Sequence, residues 1–144
     1  MIQCGSLTVQ DLRKASEHLP FNSLLGLHIV RRHRDGVTVE CKVRDELRNA
    51  GGYLHGGVAA SIADSAIGIS LASHFGGRRP ITTTDLKINY LRPVHDGKIV
   101  ARSHLLKVGR QLAVGRVDIS DANRRLVAIA VVTYLILDQP MPRD

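Results

Sequence analysis

Tryptophan is absent from this 144-residue chain, and aromatic residues make up only 3% of it. Proteins that hold single strands of nucleic acid stack the bases on aromatic rings, and that material is scarce. The basic residues are scattered instead of striped, so nucleic acid is not expected as a partner. Cysteine is equally scarce. Cys4 and Cys41 stand far apart with no companion motif, which excludes a disulfide framework or a zinc site and points to a reducing, cytoplasmic compartment. The seven histidines include no pair at a ligand spacing such as HExxH, so no metal is expected. No uninterrupted apolar run has the length of a membrane-spanning helix; residues 126–137 come closest at 12. The N-terminus lacks a basic segment followed by an apolar core, so neither a signal peptide nor a membrane partner is expected. Repeats and low-complexity segments are missing too.

What is present fits one soluble domain: 44% hydrophobic residues, 23% charged residues and 13 glycines. The net charge of +7 favours an anionic partner, such as a phosphorylated small molecule. Arg31, Arg32 and Arg34 form the densest basic run, and a solvated strand end accounts for them.

Residues 8–19 read as a short amphipathic helix capped by Thr8 and ended by Pro20. The segment 21–27 leads into a first strand at 28–33, and Asp35-Gly36 is a hairpin turn. Val37, Val39, Cys41 and Val43 alternate with polar residues, the pattern of a half-buried strand. A loop over 45–57 precedes a long helix over 58–75, stopped by Gly76-Gly77. Four strands follow, at 81–91, 98–107, 111–120 and 125–137, and then a loose tail over 138–144. The order predicts an α+β fold with a mostly antiparallel sheet. The long helix is apolar on nearly every face, so the sheet must curl around it or a second subunit must cover the rest. The last strand is apolar on both faces, as for burial between layers.

Chemistry concentrates in 16 residues, from Asn49 to Asp64. Asp64 is the single carboxylate in the apolar helix 58–75, and burying an unpaired carboxylate is costly. Just before it, Gly56 and Gly57 follow His55, and glycine N–H groups at a helix start can face an anionic or developing negative charge.

The composite pattern N-x5-HGG-x6-D, followed by Thr83-Thr84-Asp85-Leu86-Lys87-Ile88-Asn89-Tyr90 and Arg92-Pro93, resembles the hotdog-fold acyl-CoA thioesterases, specifically the type found in the phenylacetate pathway. The resemblance covers roughly residues 20–137. It implies a hotdog fold: an antiparallel sheet of five to six strands wrapped around one central helix over 21–137, with residues 1–20 as an N-terminal helical extension. It also implies hydrolysis of an acyl-CoA, with coenzyme A as part of the substrate and no cofactor. Asp64 then serves as general base on water or attacks directly to form an anhydride. The Gly56 N–H polarises the carbonyl, and His55, Asn49 and Thr83 support them. Gly57 and the stretch Lys107, Gly109, Arg110 are candidates for binding substrate, the last three through the coenzyme A phosphates. Arg78, Arg79, Arg92, Arg124 and Arg125 are further unranked candidates.

Gly56 and Asp64 are eight residues apart, or about 12 Å along a helix axis. That is too far for both to serve one carbonyl. Two chains must therefore meet head-to-tail, so a homodimer with shared sites is expected, and the resemblance extends this to a dimer of dimers, a homotetramer. Each residue also has a plainer role: Asp64 as a structural acid, His55 as a brace for the loop, Asn49 in local turn hydrogen bonds, Thr83 as an ordinary strand residue. Two other functions stay open. A hydratase or dehydratase of acyl thioesters would carry a different pattern around His55, such as His-Phe-Pro. A non-catalytic acyl-CoA sensor would carry an output module, which the 20 residues before Phe21 are too few to supply.

Overall fold

Thr8 opens the first helix through a capping box, its hydroxyl accepting from the Asp11 N–H while the Asp11 carboxylate accepts from the Thr8 N–H. The computed structural model describes residues 7–77 and 79–139, so Cys4, Arg78 and most of the expected tail lie outside the described residues. Helix α1 spans Val9–Ser16, shorter than the expected 8–19. Pro20 does not close it; it opens a second helix, α2, at Pro20–Leu25. The missing N–H of proline costs nothing in a first helical turn. Gly26, at φ 69°, turns the chain out of α2 into the sheet. The expected lead-in over 21–27 is thus mostly helix.

Six strands follow: β1 His28–His33, β2 Gly36–Lys42, β3 Ile81–Tyr90, β4 Lys98–Val108, β5 Leu112–Asp121 and β6 Leu126–Ile136. They form one antiparallel sheet in the order β1-β2-β4-β5-β6-β3. The long helix α3, Gly56–Phe75, crosses the inner face and packs against β2 through β6. Its side chains Ile62, Ala63, Ala66, Ile67 and Leu71 are fully buried, and each of the larger ones contributes about 1.5–3 kcal/mol by leaving water. Gly115 on β5 makes room for the closest approach: a Cβ there would stand 2.2 Å from Ile67 Cδ1.

Two expectations need correction. The longest apolar element is not 126–137 but α3, which at 20 residues with mean hydropathy 1.3 is long and apolar enough to cross a membrane. Here it is the core helix of a curled sheet. The last strand is not buried on both faces: Val127, Ala128, Ala130 and Val132 pack inward, whereas Val131 on the outer face is 40% exposed.

The two sheet edges differ. At β1, the main chain of Ile29 is taken up by side chains of the α1 region, its N–H donating to Glu17 and its carbonyl accepting from Arg13. At the other edge, among the described residues, β3 pairs with β6 on one side only. An open ten-residue strand is a template for further pairing.

Candidate functional site

The loop before α3 is built by Asn49 and Arg48. The Asn49 Oδ1 accepts from the Gly51 and Tyr53 N–H groups, closing a tight turn. Arg48 donates to the Gly52 carbonyl and to Asp96, clamping that turn onto the β3–β4 connection. The Asn49 oxygen is thus engaged in its own loop.

Helix α3 begins two residues earlier than expected, at Gly56, with His55 as its N-cap. The His55 Nδ1 accepts the Gly57 N–H at 2.8 Å, so the proton of the neutral imidazole sits on Nε2. The Val58 N–H turns back to the His55 carbonyl. Of the first-turn donors, only the Gly56 N–H has no acceptor among the described residues. Tyr90, at the end of β3, donates its hydroxyl to the Gly56 carbonyl at 2.6 Å, and a Cβ on Gly56 would stand 3.0 Å from that phenol ring. Gly56 borders a cavity of about 370 Å³ lined also by Asn49, Tyr53, His55, Tyr90 and Arg92 among others.

Asp64 lies two turns further along α3, half-buried. Thr83 Oγ1 donates to its Oδ1 at 2.7 Å, and the Tyr134 hydroxyl donates to the same oxygen at 2.6 Å. Thr83 and Tyr134 face each other directly across β3 and β6. That pairing depends on a bulge: the register advances by one residue between Thr83 and Asp85. A bulge reverses the alternation of faces, so Thr83 shares the inner face with Leu86, Ile88 and Tyr90. Gly68, one turn beyond Asp64, leaves room for the phenol; a Cβ there would stand 3.1 Å from the Tyr134 oxygen. Burial, followed by the hydrogen bond to Asp64, pushes the Tyr134 ionisation far above the ordinary tyrosine range. A second cavity, of about 450 Å³, is lined by Tyr134, Phe21, Ile69, Ala72, Phe75 and Arg79 among others.

The site residues therefore fall into two groups within one chain. Asn49, His55, Gly56 and Gly57 gather at the start of α3, and Thr83 joins Asp64 in its middle. Lys107 stands near the end of β4, and Gly109 and Arg110 sit in the β4–β5 turn, where the Gly109 N–H donates to the Leu112 carbonyl. The pairing of Ala113 with both Val108 and Tyr134 puts this turn at the Asp64 end of the sheet. The side chains of Lys107 and Arg110 are exposed. Arg79 lies over the Phe75 ring, Arg92 donates to the Leu126 carbonyl, and Arg125 pairs with Asp121. Arg124 adopts a left-handed turn conformation at φ 65°. Among the described residues no cluster of histidine, cysteine and carboxylate could hold a metal.

Sequence reasoning did not find Tyr134. It sits 70 positions from Asp64 in a strand of apolar residues, and only the long-range register reveals its partner. The one available signal was a polar tip at an inward position of the last strand.

Residues 51–128 match the family profile of the thioesterase superfamily. The medium/long-chain acyl-CoA thioesterase YigI of Escherichia coli is 31% identical over 134 residues, an alignment covering 83% of this chain and 86% of that protein. Among solved structures, a thioesterase of Haemophilus influenzae superposes with a TM-score of 0.86 at 24% identity, covering 95% of both chains. The PaaI protein from the phenylacetic acid degradation operon of E. coli superposes with a TM-score of 0.81 at 21% identity, covering 92% of this chain and 95% of that one. These two structures share the hotdog fold.

Proposed function

The chain belongs to the thioesterase superfamily and is a thioester hydrolase, and from that premise we propose that it cleaves acyl-CoA at sites shared between two subunits. The observation that carries this reading is the division of the site. Gly56, whose N–H has no acceptor among the described residues, borders one cavity, while Asp64 is held by Thr83 and by Tyr134, which lines another. Gly56 and Asp64 lie eight positions apart on α3, about 12 Å along the axis, so neither group can complete the other within one chain. The open edge of β3 offers the means of joining two copies. Antiparallel pairing of β3 with β3 of a second copy about a two-fold axis would set the two α3 helices head-to-tail.

In the proposed mechanism the thioester carbonyl lies against the Gly56 N–H of one subunit. The positive end of α3 adds to the stabilisation of the developing oxyanion. Asp64 of the other subunit either takes a proton from the attacking water or attacks the acyl carbon itself. In the first route the water oxygen bonds to the acyl carbon and the C–S bond breaks. The thiolate leaves and takes up the proton held by Asp64. In the second route an Asp64 oxygen bonds to the acyl carbon as the C–S bond breaks and the thiolate leaves; water then hydrolyses the aspartyl anhydride, releasing the acid and a proton that the thiolate takes up. His55 braces the donor by fixing the Gly57 N–H.

Coenzyme A is polyanionic, and the net charge of +7 together with the exposed Lys107 and Arg110 suits it. The E. coli relative takes medium- and long-chain acyl groups, and both cavities have mainly apolar walls. An aliphatic acyl chain is the proposed substrate class. The test is a panel of acyl-CoA thioesters with a thiol-reactive dye as readout, run beside the Asp64→Ala variant. Hydrolysis of medium and long aliphatic members, lost in a folded Asp64→Ala protein, is expected. Near-wild-type turnover in that variant would end the mechanism.

A further inference from the structure

Two hydroxyls converge on a single oxygen of Asp64. Thr83 supplies one from β3 and Tyr134 the other from β6, at 2.7 and 2.6 Å. The Tyr134 oxygen also lies 2.8 Å from the Asp64 main-chain carbonyl. A phenol has one proton to give. The carboxylate is the charged and closer acceptor, so the proton goes to Oδ1. The other carboxylate oxygen, Oδ2, receives no hydrogen bond from any described residue.

We propose that Tyr134 is a positioning residue for hydrolysis: with Thr83 it pins Oδ1 of Asp64 and so reserves Oδ2 for the water or the acyl carbon. The inference rests on the reading of Asp64 as base or nucleophile. Three further features fit it. Tyr134 is 93% removed from solvent, with 7% of its surface exposed, so its ring cannot swing away. Gly68 has no side chain to keep the phenol from the helix. Its ionisation lies far above the ordinary range, so the hydroxyl is a donor at every working pH and never a competing base. A purely structural tyrosine would be satisfied by the main-chain carbonyl; this one is placed on the carboxylate as well. Tyr134 also lines the second cavity, together with Ser65 and Gly68 of α3. The residue lies beyond the 51–128 span that matches the family profile.

The test compares wild type, Tyr134→Phe, Thr83→Val, the double variant and Asp64→Asn, with decanoyl-CoA as probe and a thiol-reactive dye as readout. Circular dichroism and gel filtration establish that each variant is folded. If Tyr134→Phe fails to fold, Tyr134→Met takes its place, because it also lacks the donor and fills much of the ring volume. Tyr134→Phe is expected to lower kcat about tenfold or more, the scale of one hydrogen bond to a charged group, with KM within about twofold of wild type. Because both donors hold one oxygen, the double variant should lose more than the product of the two single losses. Tyr134→Phe turnover within about twofold of wild type, beside an inactive Asp64→Asn, overturns the role of Tyr134 and leaves that of Asp64 standing. Losses that simply multiply overturn the shared pin. Near-wild-type turnover in Asp64→Asn overturns the reading of Asp64, and the role of Tyr134 falls with it.

Discussion

Replacing Gly56 by proline is expected to remove the proposed oxyanion donor while sparing the helix. Gly56 is the first residue of α3, where proline is well tolerated because the N–H has no intrahelical acceptor. The residue before a proline must be extended, and His55 already is, at φ −62° and ψ 133°. The substitution also adds a Cβ, which would stand 3.0 Å from the Tyr90 ring. Tyr90 is 54% exposed and can yield by a few tenths of an ångström. Gly56→Ala adds the same Cβ and keeps the N–H, so the ratio between the two variants isolates the donor. Loss of one such donor lowers kcat by about 10²–10³, or about 2.7–4 kcal/mol of transition-state stabilisation. The assay is steady-state acyl-CoA hydrolysis by both variants, with helix content checked by circular dichroism. Gly56→Pro turning over within about threefold of Gly56→Ala would refute the assignment of the oxyanion to this N–H.

Two further outcomes concern the scaffold and pH. Ser103 is fully buried and its hydroxyl joins the Val37 main chain to Ser70 on α3. Ser103→Ala leaves the Val37 N–H without that acceptor and should cost about 1–3 kcal/mol in urea unfolding; an unchanged midpoint would contradict this. Burial works to raise Asp35, but hydrogen bonds from Arg102 and His104 outweigh it and hold the carboxyl down from 3.8 to about 2. A carboxyl depressed by folding stabilises the protein above its unfolded value and loses that contribution as pH falls through the folded one. Stability should therefore decline between pH 3.8 and about 2, modestly because the Asp35 side chain is 45% exposed and screened by solvent. Asp35→Asn should flatten that part of the urea midpoint–pH curve, and an equal slope in both proteins would count against it.

The fold was legible because each element carries a local signal. Thr8 marks a cap, Asp35-Gly36 a hairpin, Gly76 a helix stop, and the uninterrupted apolar run of α3 demands a sheet that curls. Pro20 misled because proline both ends and begins helices, and only the tertiary contacts of Asn22, which donates to the Ser16 carbonyl and accepts from Ser65 on α3, decide for a beginning. The position of Asp64 was legible from composition, but its surroundings were not. Simple alternation along β3 puts Thr83 on the face opposite Leu86, and the bulge that returns it inward is a property of the pairing with β6. Tyr134 was hidden for the same reason. At the α3 start the resemblance implied the Gly56 N–H as the donor; what the sequence does not reveal is that the His55 ring takes up the neighbouring Gly57 N–H. Asn49 proves to be committed to its own turn through Oδ1, a contact its spacing from His55 does not reveal.

Subunit exchange tests the divided site most directly. In the proposed homodimer Gly56→Pro and Asp64→Ala are each expected to be inactive alone, and they are mixed in equal amounts after exchange has been verified with labelled chains. Random pairing makes half the dimers mixed, and each mixed dimer has one intact site of two. Activity should therefore return to about one quarter of wild type. No recovery after verified exchange would mean that Gly56 and Asp64 do not act together across a subunit boundary.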